Sequence, residues 1–422
     1  MELNRVVVTG MGAITPIGNS IIEFSENLMN GMSGCASITH FDTIKFRTKI
    51  ACEIKHYFPE NYFDKKELKK LDAYAQFAFI AAEEAIKDAQ LLEYSDLNKN
   101  KTGVLFTSGF GGVQTFQQEL FQYFQNDRNP RYFSPFFVPR TLLDLAGGSI
   151  AIKYGFKGMN FSVVAACASS TIALIDALNY IRLGKADVLI VGGSEASICE
   201  VAIGAFSAMK ALSENNENPA MASRPFDLNR DGFVMGEGAA CMVLESLQHA
   251  QKRGAKIYAE LAGGSMNADA FHITAPHPDG ETVERVMQEA LEDANLKPTD
   301  IDYINVHGTS TPLGDIAEIK AIQNLFKEHV FALNISATKS MTGHLMGAAG
   351  IIEAVASVIA IQANKIPPTI NHQTADPAFD AKLNLTLQHA QEREVNVVLS
   401  NNFGFGGHNA SVVFKKACVE FA

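Results

Sequence analysis

Ten short runs rich in β-branched residues alternate along the chain with stretches of helical periodicity. This alternation is typical of an α/β fold with buried parallel strands. The runs form two sets of five, with polar or glycine-rich turns after most of them, so we predict two tandem α/β halves, residues 1–255 and 256–422, packed face to face. The predicted strands are Arg5–Thr9, Thr102–Thr107, Phe161–Ala165, Asp187–Val191, Ala240–Glu245, Ile257–Ala262, Tyr303–Val306, Asn334–Ala337, Val395–Leu399 and Ala410–Phe414.

Charge and cysteine usage narrow the possible partners and the compartment. A net charge of −11 without a basic arm argues against nucleic-acid binding. No secretory signal and no charge-free apolar run long enough for a membrane span is found, so we expect a cytoplasmic protein that does not insert into a membrane. The cysteines lack C-x-x-C spacing, which predicts reduced thiols rather than a disulfide or zinc framework. They are Cys35, Cys52, Cys167, Cys199, Cys241 and Cys418.

The first predicted strand leads into "VVVTGMGAIT", residues Val6–Thr15, which superficially resembles a dinucleotide-binding turn. The third glycine of that fingerprint is absent, and Pro16 and Gly18 interrupt the helix that would receive a pyrophosphate. We therefore predict a tight turn after the first strand. We expect neither a cofactor nor a metal.

Cys167 lies in "FSVVAACASSTIALIDALNYI", between a β-branched run and a helical pattern. Backbone N–H groups and the positive end of the helix dipole would point at its sulfur and lower the thiol pKa. The flanking residues are small enough to leave room for a substrate carbonyl. The alternative is a buried cysteine that acts as a small hydrophobic residue.

Two histidines occupy comparable positions in the second half. His307 follows a predicted strand in "DYINVHGTSTPLGD", and His344 follows Lys339 in "TKSMTGHLMGAAG", before a helix that contains Glu353. If the halves pack pseudo-symmetrically, these strand ends meet the one that carries Cys167. A lone histidine is more often structural, but three such residues at converging strand ends predict a catalytic set.

Six segments resemble the condensing enzymes of fatty-acid synthesis, the β-ketoacyl-[acyl carrier protein] synthases of thiolase-like fold. They are "ACASS", "SRPFDLNRDGFVMGEGA", "HGTSTPLGD", "TKSMTGHLMGAAG", "IPPTIN" and "NNFGFGGHNAS". The resemblance covers essentially the whole chain and is closest to the elongating, type II enzymes. It implies αβαβα layers built from two pseudo-symmetric halves, and a homodimer.

The resemblance also implies a reaction. Cys167 would take an acyl chain from acyl carrier protein, and malonyl carrier protein would then lose carbon dioxide and attack the acyl-cysteine in a Claisen condensation. His307 and His344 would hold the developing oxyanion. Lys339 would fix His344 and the local charge, with Glu353 as its ionic partner.

Further residues match substrate-binding positions of the family. Phe403 would supply a backbone N–H to an oxyanion hole and a side-chain gate, and Thr309 and Thr311 would bind the pantetheine arm. Ala166, Phe206 and Phe137 would line the acyl tunnel, Phe137 across the dimer interface. Phe110 stands where close relatives carry a smaller aliphatic residue, so its ring either shortens the tunnel or packs elsewhere.

Docking of an acidic carrier protein requires a local basic patch on this acidic chain. The segment "DKKELKK" supplies lysines at helical spacing. A charge run is often only a solvated face, but resemblance places docking here. The docking residues implied are Lys66, Lys69, Lys70, Arg128, Arg131 and Lys210.

Related proteins with other functions differ from the elongating synthases in single residues or motifs. A degradative thiolase would use a second cysteine near the C-terminus, and "NNFGFGGHNAS" contains none. A non-catalytic partner subunit would lack the nucleophile at position 167. A ketosynthase of a specialised polyene or polyketide pathway would carry the same motifs and stays open as the alternative.

Overall fold

Ten of fourteen strands form one mixed sheet in the computed structural model, which describes residues 3–417. Two further sheets of two strands each pair β2 with β3 and β11 with β12. The strands are β1 (Val6–Ile14), β2 (Ala36–Ser37), β3 (Ile50–Ala51), β4 (Thr102–Thr107), β5 (Asn160–Phe161), β6 (Val188–Glu195), β7 (Gly238–Ser246), β8 (Ala259–Ala268), β9 (Tyr303–Asn305), β10 (Asn334–Ser336), β11 (Lys365–Ile366), β12 (Gln391–Glu392), β13 (Val397–Gly404) and β14 (His408–Lys415).

Helices connect most of these strands. The α-helices are α1 (Ile21–Met29), α2 (Lys65–Leu68), α3 (Ala73–Asp88), α4 (Val113–Gln125), α5 (Phe137–Thr141), α6 (Leu145–Tyr154), α7 (Ser169–Arg182), α8 (Glu200–Ala208), α9 (Leu247–Lys252), α10 (Glu281–Asp293), α11 (Gly314–Phe326), α12 (Lys339–Thr342) and α13 (Ala349–Ala363). Short 3₁₀ helices lie at Pro59–Asn61, Leu91–Glu93, Pro130–Tyr132, Pro219–Met221, Pro298–Asp300, Lys327–Phe331 and Met346–Ala348.

The strand order of the large sheet is symmetric about its middle. It runs β10-β9-β13-β14-β8-β1-β7-β6-β4-β5, so β8, β14, β13, β9 and β10 repeat the arrangement of β1, β7, β6, β4 and β5. The halves join through a short antiparallel pairing of β1 with β8. Two pseudo-symmetric halves of an α/β fold are therefore present. The proposed division after residue 255 falls between α9 and β8, and this boundary stays a prediction.

Helices complete a five-layer αβαβα arrangement. Helix α3 packs on the outer face of β1, β7 and β6, and α10 packs on β8 and β14. Helices α7 and α13 pack against each other and contact strands of both halves, so they form the central layer. The approach is close at Gly350, where an added Cβ would lie 2.0 Å from Thr171 Oγ1. This packing places the beginnings of α7 and α13 side by side.

Two local sequence predictions are wrong in their details. Strand β1 does not turn after Thr9 but continues to Ile14, because Gly10 and Gly12 allow α3 to approach the strand. An added Cβ at these glycines would lie 2.3 Å and 2.2 Å from backbone oxygens of α3. The turn comes later, between Thr15 and Gly18.

The predicted strand Phe161–Ala165 is also too long. Only Asn160 and Phe161 pair with β4, and the following residues leave the sheet. The hydroxyls of Thr107 and Ser162 donate to backbone oxygens of Val163 and Phe106, which holds the departing segment against β4. This departure forms the turn that carries Cys167.

One helical segment, Met346–Ala363, is long and apolar enough to cross a membrane by length and composition alone. In the structure, 89% of that window is buried inside the protein. The segment contains α13, the central helix described above, so its apolar character is explained by core packing.

Candidate active site

A cavity of about 740 Å³ is lined by residues of both halves. Cys167 comes from the first half, whereas His307 and His344 come from the second. The sequence positions that were predicted to converge therefore do share one cavity. An ordinary ligand pocket has this size.

Cys167 lies in a sharp turn two residues before α7 begins. Ala166 has a φ of +48°, a conformation that a residue with a side chain rarely adopts. The turn packs on Gly404, where an added Cβ would lie 2.9 Å from Ala165 O and 3.0 Å from Cys167 N. The backbone therefore directs the half-buried thiol into the cavity and leaves no room for a side chain at position 404.

The two imidazoles stand next to the thiol. His344 Nε2 lies 3.0 Å from Cys167 Sγ. The rings of His307 and His344 are perpendicular, with their centroids 5.3 Å apart. One ligating atom from each of the three residues lies within 4.8 Å of the others. A small reacting group placed between them can reach all three.

Lys339 contacts His307, whereas the family resemblance had implied that it fixes His344. Its Nζ lies 3.4 Å from His307 Nδ1 and forms a buried ion pair with Glu353. An ammonium group only donates hydrogen bonds, so His307 Nδ1 accepts and the ring hydrogen lies on Nε2. The difference from the prediction arises because α12 brings Lys339 under His307. His344 Nδ1 has no hydrogen-bond partner among residues 3–417.

Buried acceptors hold this arrangement in place. Glu353 Oε2 accepts a 2.7 Å hydrogen bond from Asn402 Nδ2, and Asn402 Oδ1 accepts one of 2.6 Å from Thr171. Glu318 accepts the backbone N–H groups of His307 and Gly308 at 2.8 and 2.9 Å. The network connects α7, which follows the thiol, with the elements that carry both histidines. Sequence reasoning missed Glu318 and Asn402, because nothing local marks them as acceptors.

Burial determines the ionisation of the set. It lowers the pKa of both His307 and His344 well below their usual range, and the positive charge of Lys339 acts in the same direction. Burial also raises the pKa of the Cys167 thiol to about 11, although the Lys339 charge and the backbone N–H of Phe405 oppose this. The sequence prediction of a lowered thiol pKa is therefore wrong, because desolvation of the sulfur outweighs the helix terminus. The resting set is a neutral thiol beside two neutral imidazoles.

The glycine-rich loop presents the backbone N–H of Phe405, not of Phe403, to the Cys167 sulfur. Phe403 lies within β13, opposite Asn409, and its ring packs edge-on against His307 at 5.7 Å. The Phe405 amide, rather than the Phe403 amide, is therefore placed for the predicted oxyanion role, which stays a prediction. The second phenylalanine of "NFGFGG" was the available signal, since it comes after the strand ends.

Aromatic rings form one wall of the cavity. Phe110 packs edge-on against Phe206 at 5.8 Å, and Phe206 contacts Phe233 and Phe405. Phe110 thus lines the cavity, as Ala166 and Phe206 also do. Its ring does not turn away into another part of the core.

The remaining substrate-binding candidates separate into two groups. Thr309 and Thr311 line the cavity, and their hydroxyl oxygens lie 3.0 Å apart. Phe137 lies outside the described lining of this cavity and stacks on Phe133 at 5.3 Å. Its predicted role across a dimer interface stays a prediction.

The six docking candidates are all exposed, but they do not form one helical face. Lys66 lies in the one-turn helix α2, whereas Lys69 and Lys70 follow it. Arg128 and Arg131 lie beyond α4, and Lys210 lies at the cavity. The basic side chains are available to a partner, and their docking role stays a prediction.

The Cys167, His307 and His344 donor atoms are also close enough to share a soft metal ion such as Zn²⁺. The Lys339 ammonium, 3.4 Å from His307, would repel such a cation. This charge supports the expectation that the set works without a metal.

Comparison with known proteins agrees with this architecture. The models "Beta-ketoacyl synthase, N-terminal domain" and "Beta-ketoacyl synthase, C-terminal domain" match residues 3–250 and 258–373. A 3-oxoacyl-[acyl-carrier-protein] synthase 2 of Staphylococcus aureus strain N315 is 48% identical over 412 residues, 98% of each chain. One of Synechocystis is 44% identical over 416 residues, 99% of each chain.

Solved structures give the same result. A ketosynthase in complex with a type II polyketide acyl-carrier protein has 34% identity and a TM-score of 0.91, covering 98% of this chain and 100% of the other. A β-ketoacyl synthase of Burkholderia phymatum has 32% identity and a TM-score of 0.90 at the same coverage. The thiolase-like ketosynthase fold and the full-length matches together establish that this chain belongs to the β-ketoacyl synthase family.

Proposed function

We propose that this chain is an acyltransferase of the elongating 3-oxoacyl-[acyl-carrier-protein] synthase type. It transfers an acyl chain to Cys167 and joins it to malonyl carrier protein by decarboxylative Claisen condensation, which lengthens the chain by two carbons. The observation that carries this proposal is the 3.0 Å contact of Cys167 Sγ with His344 Nε2, beside His307 in one cavity. The 48% identical relative bears the corresponding name.

Acyl transfer uses the neutral imidazole beside the thiol. As the Cys167 sulfur attacks the thioester carbonyl, His344 Nε2 accepts the thiol proton and a new carbon–sulfur bond forms. The backbone N–H groups of Cys167 and Phe405 stabilise the oxyanion. The bond to the pantetheine sulfur then breaks, and that sulfur leaves with the proton. The rare conformation of Ala166 exposes the sulfur for this attack.

Condensation uses both imidazoles. The malonyl carboxylate leaves as carbon dioxide, and its bonding electrons form an enolate whose oxygen receives a hydrogen bond from His307 Nε2–H. Once Cys167 is acylated, its sulfur no longer donates a proton to His344, so the ring hydrogen of His344 can move from Nδ1 to Nε2 by exchange with water, and His344 then donates the second hydrogen bond. The enolate carbon attacks the acyl-cysteine carbonyl, a carbon–carbon bond forms, and the Cys167 thiolate leaves and takes up one proton. Lys339 keeps the donor hydrogen of His307 on Nε2, facing the cavity.

The direct test is product analysis with purified protein, acyl carrier protein loaded with an acyl chain, and malonyl carrier protein. We expect a 3-oxoacyl product two carbons longer than the acyl donor, with one carbon dioxide released per product. Acyl transfer without formation of a carbon–carbon bond would contradict the proposal. The specialised-pathway alternative is less favoured, because identity to the named fatty-acid enzymes is 48% against 34% for the polyketide ketosynthase.

Acyl carrier protein is the proposed partner, supported by the solved complex of a ketosynthase with its carrier protein. Changing Lys66, Lys69 and Lys70 together to glutamate should raise the KM for carrier-bound substrate, because it reverses charge at exposed positions facing an acidic partner. Acylation by a small thioester should change little.

The matched control changes three exposed lysines of the second half, Lys327, Lys382 and Lys416, to glutamate. This control alters the total charge equally and should leave the KM near that of the wild type. Equal losses with carrier-bound and small thioesters would indicate misfolding and contradict a docking role.

Chain length offers a further prediction. Phe110→Ala should widen acceptance of longer acyl chains, because removing the ring opens cavity volume for distal methylenes. Each buried methylene contributes roughly 0.8 kcal/mol, so three or four contribute about 2–3 kcal/mol. That corresponds to roughly a hundredfold in kcat/KM. Values of kcat/KM along a series of acyl carrier proteins measure the effect, with short chains as the internal control. Parallel wild-type and variant profiles would mean that other residues limit the chain.

We further propose a homodimer that pairs through the β5 side of the molecule. Strand β5 is an edge strand of the large sheet, and Val164 just beyond it is 54% exposed. A cluster of touching rings lies in the 113–142 segment, where Phe121 and Phe124 are each 59% exposed. Light scattering should give twice the chain mass for the wild type and the chain mass for Phe121→Glu/Phe124→Glu. A monomeric wild type would contradict the dimer.

A cytoplasmic location also belongs to this proposal. The five cysteines within residues 3–417 are free thiols, as expected in a reducing compartment. Cys418 lies outside the described residues. Cell fractionation tests the location, and recovery with the membrane or secreted fraction would contradict it.

A further inference from the structure

Glu195 is a fully buried carboxylate that the proposed chemistry does not use. It is the last residue of β6, and none of its surface is exposed. Its Oε1 accepts hydrogen bonds from the backbone N–H groups of Gly109 and Phe110, the latter at 3.3 Å, and from Ser108 Oγ at 3.1 Å. One carboxylate oxygen therefore binds the whole turn that carries Phe110.

The same turn depends on Glu195 a second time. The backbone N–H of Gly111 donates a 2.9 Å hydrogen bond to Ser108 Oγ, and that hydroxyl donates to Glu195. The backbone N–H groups on both sides of Phe110 are therefore bound to Glu195, that of Gly109 directly and that of Gly111 through Ser108 Oγ. The position of the Phe110 ring follows from a backbone that this carboxylate holds.

Space around the carboxylate is also restricted. The backbone N–H of Gly347, three residues after His344, faces Glu195 and opposes the rise in the pKa of its carboxyl that burial causes. An added Cβ at Gly347 would lie 2.4 Å from Gly109 N and 2.9 Å from Glu195 Oε1. Gly109 and Gly347 both line the cavity. Glu195 therefore lies directly behind the cavity wall, between the Phe110 turn and the turn that follows His344.

We propose that Glu195 is a positioning residue that fixes the backbone of Phe110 and thereby sets how far an acyl chain can extend into the cavity. This inference rests on the proposed function, since it concerns the substrate of the same site. Glu195 is not among the described residues that line the cavity, so it would act on the acyl chain through Phe110.

A carboxylate suits this task because one of its oxygens can accept several hydrogen bonds. Its second oxygen, Oε2, is buried without a hydrogen-bond partner among the described residues. Glutamine would keep the accepting oxygen and place its NH₂ group where Oε2 now lies. Aspartate is shorter by one carbon–carbon bond, about 1.5 Å, so it would pull the Phe110 turn or lose its donors.

The test measures kcat/KM for acyl carrier proteins of increasing chain length with Glu195→Asp and Glu195→Gln. Glu195→Asp should change the ratio of long-chain to short-chain kcat/KM by about tenfold, the discrimination that a one-methylene change in an apolar pocket commonly gives. The change should appear mainly in KM. Glu195→Gln should keep the wild-type ratio within about twofold, since the amide oxygen still accepts the turn's hydrogen bonds.

The same substitutions in a Phe110→Ala background separate positioning from general damage. If Glu195 acts through the ring, Glu195→Asp should no longer change the chain-length ratio once the ring is removed. An equal change in both backgrounds, or an equal loss at every chain length, would overturn the proposal.

Two further variants distinguish a specific effect of Glu195 from misfolding. Ser108→Ala removes only the hydroxyl link in the turn and should shift the ratio in the same direction as Glu195→Asp, so it decides the question if Glu195→Asp does not fold. Glu237→Asp shortens another buried carboxylate, which accepts Ile54 N–H at 3.0 Å, and should leave the ratio unchanged. If Ser108→Ala and Glu195→Asp elongate normally and keep the wild-type ratio of long-chain to short-chain kcat/KM, the role of Glu195 alone is overturned. If the wild type forms no elongated product, the proposed function itself is overturned.

Discussion

Replacing Cys167 with alanine is expected to abolish acyl transfer. The substitution removes the sulfur that His344 Nε2 contacts at 3.0 Å and leaves no thiol among the described residues that line the cavity. The loss should be on the order of 10⁶-fold in kcat, which is typical when the nucleophile of a covalent mechanism is deleted. Serine should restore little, because its hydroxyl has a much higher pKa than a thiol. Mass spectrometry of the protein after incubation with acyl carrier protein measures the acyl-enzyme directly.

Cys199→Ala is the matched control, because Cys199 is a buried thiol at the start of α8, away from the described cavity lining. This variant should form the acyl-enzyme at the wild-type rate. A normal acyl-enzyme in Cys167→Ala would refute the assignment of the nucleophile. Loss of the acyl-enzyme in both variants would point to unfolding.

His307→Ala and His344→Ala are expected to suppress decarboxylation of malonyl carrier protein more severely than acylation of Cys167. Each removes an N–H donor from the oxygen of the developing enolate, a loss of about 10²–10³-fold. His344 also contacts the thiol, so its variant should slow acylation as well. The His307 variant should acylate nearly normally. Release of labelled carbon dioxide and formation of acyl-enzyme, measured separately, distinguish the two steps.

The pH dependence of malonyl decarboxylation gives a second test of His307 and His344. Because burial holds the pKa of both histidines well below their usual range, both are neutral near pH 7. Wild-type decarboxylation should therefore not decline through histidine protonation as the pH falls from 8 to about 6.5.

His389→Ala changes an exposed histidine and is the control for the His307→Ala and His344→Ala variants, so it should decarboxylate malonyl carrier protein at the wild-type rate. Normal decarboxylation in both His307→Ala and His344→Ala would show that the assigned roles are wrong.

Local patterns in the sequence were sufficient to locate the secondary structure of the large sheet. All ten predicted runs overlap its ten strands, because strands that helices cover on both faces form continuous apolar runs that a short window reveals. The expectation of parallel strands holds only in part, since β1, β7, β8 and β14 pair antiparallel with their neighbours. Their ends were less predictable. Whether β1 continues past Gly10 depends on α3, which packs there from a distant part of the chain. The segment "VVVTGMGAIT" alone does not predict that contact.

The sequence by itself also determined which residues could react. Cys167, His307 and His344 were predicted from their positions at strand ends and from six motifs. The tertiary structure decided how these residues interact. It pairs Lys339 with His307, because α12 lies beneath that ring, and it presents Phe405 rather than Phe403 to the sulfur, because β13 has ended by then.

Ionisation was likewise decided only by the assembled fold. A helix N-terminus next to Cys167 predicts a lowered thiol pKa, but the folded chain removes water from the sulfur and raises that pKa to about 11. The role proposed for Glu195 likewise depends on the assembled fold, since its hydrogen-bond donors come from residues 108–110, far from it in sequence. Residue types and strand ends are local properties, which a sequence displays. Desolvation and hydrogen bonding between distant segments are sums over the whole fold, and they exist only once it is formed.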